Sequence, residues 1–275
     1  MMSGPQHIES AFNDSAGMYD ETFENNPITQ RIRPIIWQSL LKHFKPGDHI
    51  LELNCGTGTD AIMLAEQGIN VTAIDSSTRM IETARQKVIK KQLTNHIHLQ
   101  VLNFENLEYL VRIDPFGNGR LYDGAFSNFG GFNCTPELKS VVERLSMLVK
   151  THGVIIACLL NKICIWEMMS FLVRGKLGKA FRRLHNDCIQ ANLGGVSVQV
   201  WYYSPGQFAN ILSPWFTVEG IYGLNIFSPS PNSMSFASKH QALTTSLLNI
   251  DERFRYRFPF YALGDHFVVE ARRSS

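Results

Sequence analysis

Ile50 to Asp75 reads ILELNCGTGTDAIMLAEQGINVTAID, and it restricts the fold more than any other stretch of the chain. His49–Leu53 is a short apolar run with one acid, Glu52, and has the character of a buried strand. Asn54–Thr59 supplies turn residues. Thr59–Gln67 carries apolar residues at helical spacing, and Gly68 closes it as a C-terminal stop. Ile69–Asp75 is a second strand. Strand, turn, helix and strand in this order make a parallel unit with a right-handed crossover.

Gly56 and Gly58 have no Cβ, so a ligand can approach the turn closely, and the helix that follows turns its free N–H groups toward polar or anionic groups. Asp75 lies about 20 residues beyond the glycines, where an acid bonds ribose hydroxyls. Dinucleotide-binding folds share all of this. Ala61 stands where their fingerprint has a third glycine, a mild departure.

Glu52 separates the readings. Glu52-Leu53-Asn54-Cys55-Gly56-Thr57-Gly58 resembles the first motif of class I S-adenosylmethionine-dependent methyltransferases, in which an acid precedes three alternating glycines. Asn54 replaces the first glycine. Asparagine tolerates the left-handed backbone better than most residues, so the turn is expected to survive. The resemblance extends to small-molecule methyltransferases of the ubiquinone type. It runs through AGMYDETFENNPITQRIR before the first strand, SSTRMIETARQK after Asp75, and HIHLQVLNFENL further on.

The resemblance implies a cofactor, S-adenosylmethionine, and a set of contacts to it. Tyr19, Arg33, Glu52, Asn54, Gly56, Thr57, Gly58, Asp75, Ser76, Met80, Asn103, Phe104 and Asn128 are the implied cofactor residues. Met80 would pack on the adenine. Asn103, where the family has Asp, would keep an acceptor for the adenine amino group but lose the charge. Phe104 would offer its backbone N–H to the ring. YDGAFSNFGGFNC would be the fourth strand, with Asn128 to Gly131 at its end beside the sulfonium. The pattern [DN]PP[YF] of base- and amide-modifying methyltransferases is absent there, where the chain reads Asn128-Phe129-Gly130-Gly131.

The expected fold is α/β. It is a Rossmann-like doubly wound sheet, mostly parallel with an antiparallel last strand, and it carries lid insertions. The domain reading gives an N-terminal helical cap, 1–47, and a cofactor-binding core, 48–160. A lid insertion, 161–203, precedes more core, 204–224. A second lid insertion, 225–263, leads to the last core strand, 264–275. Both insertions leave strand ends on the ligand side and should fold over the cofactor.

The first insertion is rich in bulky apolar residues and then turns basic at RGKLGKAFRR, with no acid in that run. A solvated face is the plain reading of the run. An anionic substrate group, an acidic carrier protein or a peripheral membrane contact are the functional ones. VSVQVWYYS alternates like a strand and would set Trp201 and Tyr203 on one face. With Trp166 these make a candidate pocket for an apolar or aromatic small-molecule acceptor. Acceptors that keep their proton at neutral pH need a base. His266, opening the last strand on the lid side, is the first candidate, ahead of Asp265, His185, Tyr202 and Glu167.

Composition enters as exclusions. Hydrophobic content of 44% suits a packed core, and charged residues at 18% argue against disorder. A net charge of +2 gives no general attraction to nucleic acid. Five scattered cysteines contain no CxxC pair, so no metal site is expected. The N-terminus lacks the apolar core of a signal peptide and no run reaches spanning length, so a cytoplasmic location is expected. Two other functions stay open: a non-catalytic nucleoside-binding accessory protein, and an NAD-dependent oxidoreductase. Binding of S-adenosylmethionine and NAD compared side by side separates them.

Overall fold

The computed structural model describes residues 4–112, 115–117, 121–185, 187–193 and 196–275. Parts of the 1–47, 48–160 and 161–203 segments therefore lie outside the described residues. Nine strands are described: β1 His49–Leu53, β2 Asn70–Asp75, β3 Ile97–Val101, β4 Tyr122–Ser127, β5 Val149–Leu160, β6 Ile189–Leu193, β7 Val196–Val200, β8 Phe216–Leu224 and β9 His266–Arg273. Seven form one sheet in the order β3-β2-β1-β4-β5-β9-β8, while β6 and β7 pair as a separate antiparallel hairpin. Within the large sheet β9 alone runs antiparallel to its neighbours, β5 and β8. The order reverses between β1 and β4, and the C-terminal ends of those strands open the crevice where such folds bind ligands.

Helices cover both faces. One face carries α2 (Pro27–His43), α3 (Thr59–Glu66) and α4 (Thr78–Lys90), packed through Ile32, Ile36, Leu40, Leu64, Ala84 and Val88. The other carries α5 (Leu138–Leu148) and α8 (Pro205–Leu212), packed through Val141, Leu145, Phe208 and Leu212. The near-continuous apolar strands follow from this double cover, since a strand buried on both faces has no polar side to show. β1 is buried along its whole length. The pleat sends Ile50 to the α2–α4 face and Leu51 and Leu53 to the other. By the same alternation Glu52 shares the face of Ile50.

Before the sheet, α1 (Gly4–Tyr19) runs into a π-helical turn, Asp20–Glu24, and then α2 begins with Asn26 as its N-cap. Asp14 and Ser15 act as neither cap nor turn, because α1 passes straight through them and the Ser15 hydroxyl bonds back to the Phe12 carbonyl. The tight turn before the main part of β5 has its left-handed residue at His152 (φ +66°) rather than at Gly153.

The first insertion folds as α6 (Ile165–Val173), α7 (Leu177–Ala180) and the β6–β7 hairpin. The second folds as α9 (Met234–Lys239) and α10 (Gln241–Phe254). β7 ends at Val200, so Trp201 and Tyr203 do not share a strand face. Trp201 instead donates its backbone N–H to Asn133, and Tyr203 bridges to Asn161. Among the described residues no helix is long and apolar enough to cross a membrane.

Candidate cofactor site

The turn after β1 folds as its sequence requires. Asn54 takes φ +57°, Gly56 +52° and Gly58 +76°, so asparagine does carry the left-handed position that a glycine usually fills. The two glycines have different duties. A Cβ on Gly56 would meet only the Tyr19 ring, at 3.8 Å, whereas one on Gly58 would lie 3.0 Å from Ala84 Cβ on α4. Gly58 thus lets α4 pack against the turn. A valine there would strain the turn and push α4 away, and the obstacle it meets is protein rather than ligand.

Asp75 ends β2 and is 8% exposed. Its two carboxylate oxygens accept the Gly56 N–H at 3.0 Å and the Ser77 N–H at 2.9 Å, which fixes the turn to the strand end. Burial raises its carboxyl above the usual range, while the two N–H bonds pull it back. An ionised carboxylate has about four lone-pair sites, so two bonds leave it able to accept from hydroxyls.

The cavity over this turn has about 720 Å³ of empty space, part of it open to solvent. Tyr19, Arg33, Asn54, Gly56, Asp75, Ser76, Met80 and Asn128 line it. One wall is aromatic. Tyr19 packs on Phe23 with ring centres 5.3 Å apart, Phe23 meets Phe129 edge-on at 5.1 Å, and the Arg33 guanidinium lies 4.6 Å over Phe129.

Beside that wall runs an ionic chain. Arg33 bridges Asp60 Oδ1 and Glu24 Oε1, each at 2.6 Å. Trp37 Nε1 reaches Asp60 Oδ1 at 2.7 Å, and Asn128 Nδ2 reaches Asp60 Oδ2 at 2.8 Å. Asp60 is therefore fully engaged. Glu24 is raised above its ordinary value by burial, with Arg33 opposing, and among the described residues only its Oε1 is bonded.

Several expected cofactor residues stand elsewhere. Glu52 does not line the cavity. It is 2% exposed, on the inner face of β1, and accepts from the backbone of Ala61 at the start of α3. Thr57 turns away too, donating to Asp20 and receiving the Lys87 ammonium, and so ties the π-turn to α4. Gly58 faces α4. Asn103 and Phe104 do not line the cavity; Phe104 is 6% exposed and packs on Phe132. The α1 residue Phe12 lines it instead.

The expected base also stands away from the cavity lining. His266 is 5% exposed at the start of β9 and does not line the cavity. Its ring stands edge-on to Phe129, 6.0 Å away, and Nδ1 lies 3.2 Å from Asp265. Asp265 and Glu167 are bound to Arg183, each at 2.6 Å, and Arg183 lies 4.9 Å over the Tyr202 ring. None of these candidates, nor His185, lines the cavity. Trp166 lines a different groove, described below, and Trp201 and Tyr203 line neither. The basic run is likewise not one solvated face. Arg182 and Arg183 are spent on Glu167 and Asp265, so reversing them would break the fold rather than probe an anionic partner.

Sequence reasoning missed Glu24, Asp60 and Phe23, while Phe129 lies in the stretch expected beside the sulfonium. Asp60 carried a signal, an acid in the first turn of a helix that opens at the glycine turn. The others gave none.

Residues 50–153 match the family model for a methyltransferase domain. Over that segment the chain is similar to methyltransferase domains. Demethylmenaquinone methyltransferase of Clavibacter sepedonicus is 26% identical over 157 residues, 56% of this chain and 58% of that protein. A putative methyltransferase of Bacillus subtilis is 40% identical over 78 residues, 28% of this chain. The chain spans 29% of that relative, so in both cases under two thirds of the relative's length is covered. A crystal structure of the [4+2]-cyclase SpnF superposes with a TM-score of 0.62 at 13% identity, over 99% of this chain and 96% of that one.

The lining of this cavity suits S-adenosylmethionine. Asp75 suits ribose hydroxyls, Met80 suits an adenine face, and Arg33 with Glu24 and Asp60 suits an amino-acid end. The aromatic wall suits a cation such as a sulfonium.

Glu52 gives the domain a pH signature. Burial raises its carboxyl well above the ordinary 4.5, and nearby Asp60 adds to the rise. The folded state then holds a proton that the unfolded state releases, so stability falls as pH rises from the unfolded value toward the folded one. Glu52→Gln removes that loss. The variant should melt at the wild-type temperature near about pH 4 and above wild type near about pH 8. Melting curves at both pH values check it; an equal difference at the two would show that Glu52 does not titrate this way.

Proposed function

We propose that the chain transfers the methyl group of S-adenosylmethionine to a small acceptor with an apolar or aromatic body. One observation carries the reading: the glycine turn, Asp75 and the Glu24–Arg33–Asp60 chain converge on one cavity. S-adenosylmethionine supplies an already activated methyl group. The protein's work is then to align donor and acceptor and to exclude water.

Asp75 and the Gly56 backbone hold the nucleoside end. Arg33 meets the carboxylate of the amino-acid end. Tyr19, Phe23 and Phe129 close the cavity against water and flank the positive charge. Glu24 is the acid placed to take the acceptor's proton. Asp75 is taken up by the nucleoside and both oxygens of Asp60 are bonded, while Glu24 Oε2 has no partner among the described residues. A carboxylate raised by burial is also a better base near neutrality.

A second reading keeps the cofactor and drops the transfer, since one protein of this fold is described as a cyclase. Calorimetry with S-adenosylmethionine, followed by an acceptor screen with labelled methyl groups, tests both. Asp75→Ala should weaken cofactor binding by roughly 1.5–3 kcal/mol, the loss expected for hydrogen bonds to a charged group. Unchanged affinity in a folded variant would mean the cofactor lies elsewhere. Tight binding with no label transferred to any acceptor would favour the second reading.

A further inference from the structure

A second groove lies between the two insertions, apart from the cofactor cavity, and shares no lining residue with it. It has about 1390 Å³ of empty space, part of it open to solvent. One side is α6, which follows the end of β5. The other is Ser230–His240, which follows the end of β8. Both strands finish on the same edge of the sheet as β1 and β4, so groove and cavity lie along one edge.

The groove has an aromatic floor. Trp166 meets Phe236 edge-on at 5.0 Å and donates Nε1 to the Ser233 hydroxyl at 3.0 Å, which joins the two insertions. Phe171 lines it from α6. Its charge is one-sided. Glu167 is the acid that lines it, and Arg182 and Arg183 already neutralise that carboxylate, at 2.8 Å and 2.6 Å. Arg174 from the first insertion and Lys239 from the second line the same groove. Neither has an acidic partner among the described residues. His240 stands beside them, its ring 4.6 Å from Phe236.

Two cations without an acidic partner among the described residues line this groove from segments more than sixty residues apart in sequence, roughly the separation of Arg174 and Lys239, so helical spacing did not place them there. Apolar rings and free cations in one concave site select a ligand with matching halves. We infer that this groove is a second binding site, for a small aromatic molecule that carries a phosphate or carboxylate group. The rings take the aromatic body, and Arg174 and Lys239 take the anion by charge-assisted hydrogen bonds. The inference does not depend on the cofactor reading.

The test uses the whole chain and two probes, 1-naphthyl phosphate and neutral 1-naphthol, titrated by calorimetry with and without S-adenosylhomocysteine. The expected result is saturable binding of the phosphate, at least roughly tenfold tighter than the naphthol and weakened by added salt. S-adenosylhomocysteine should leave it unchanged. Arg174→Glu with Lys239→Glu should lower affinity for the phosphate by at least about tenfold and leave that for naphthol unchanged. Both residues are exposed, so the variant should melt as wild type does. Trp166→Ala should weaken both probes. Equal binding of the two probes, indifference to the double reversal, or competition by S-adenosylhomocysteine would each overturn the inference. Binding of S-adenosylhomocysteine itself is scored separately, so a failed cofactor reading stays distinct from a failed groove.

Discussion

Asp60→Ala should cost the fold about 3–5 kcal/mol, the penalty for leaving a buried charge without its partner. Arg33, 6% exposed, would lose its 2.6 Å contact and keep only Glu24. Trp37 Nε1 and Asn128 Nδ2 would lose their acceptor as well. The damage therefore reaches three elements, α2, α3 and the end of β4, and through Asn128 and Phe129 the cavity wall. Denaturant unfolding gives the stability, and calorimetry with S-adenosylhomocysteine gives the cofactor affinity; both should fall. Asp60→Asn should cost less, because the amide keeps one acceptor. A change below about 1 kcal/mol for the alanine variant would mean the chain of ions is not the anchor described here.

Arg183→Met should have an effect of similar size, about 3–5 kcal/mol, for the same reason. Methionine keeps apolar contact with Tyr202 but leaves Asp265, whose side chain is 2% exposed, without a cation. Burial pushes the Asp265 carboxyl up, but Arg183 and His266 outweigh it and hold the group well below its ordinary 3.8. A depressed folded value adds stability above the unfolded pKa and loses it as pH falls toward the folded one. The gap between wild type and variant should thus be full near neutrality and shrink below about pH 4. Arg183 also bonds the carbonyls of Asn161 and Asp265, so the first insertion should loosen from β9. Denaturant midpoints across pH, with proteolysis of the insertion, check both parts. A pH-independent gap would show that Asp265 is not the partner that matters.

Much of the core was legible because its signals are local. The β1–α3–β2 unit needs apolar runs of the right length, a turn with left-handed positions, and a stop at Gly68; all lie within Ile50–Asp75. Asn54 could be assigned its conformation from chemistry alone, since asparagine tolerates positive φ. Asp75 could be placed because its position depends on one distance along the chain, from turn to strand end.

The rest depended on pairs distant in sequence. Arg33 meets Asp60 across 27 residues, Arg183 meets Asp265 across 82, and Trp166 meets Ser233 across 67. Nothing in local periodicity encodes such pairings. His266 was a reasonable base by position, at the lid-side end of the last strand, but packing put Phe129 at the cavity and left His266 behind it. Glu52 marked the family by its place in the motif, yet the two-residue pleat turns its carboxyl inward, away from the cavity. The sequence by itself determined the sheet, its glycine turn and the acid at the end of β2, because strand, turn and helix preferences act over a few residues. Only the tertiary structure decided which side chains wall the cavity and which cations remain unpaired, because burial and ion pairing are settled between elements that meet only in the folded chain.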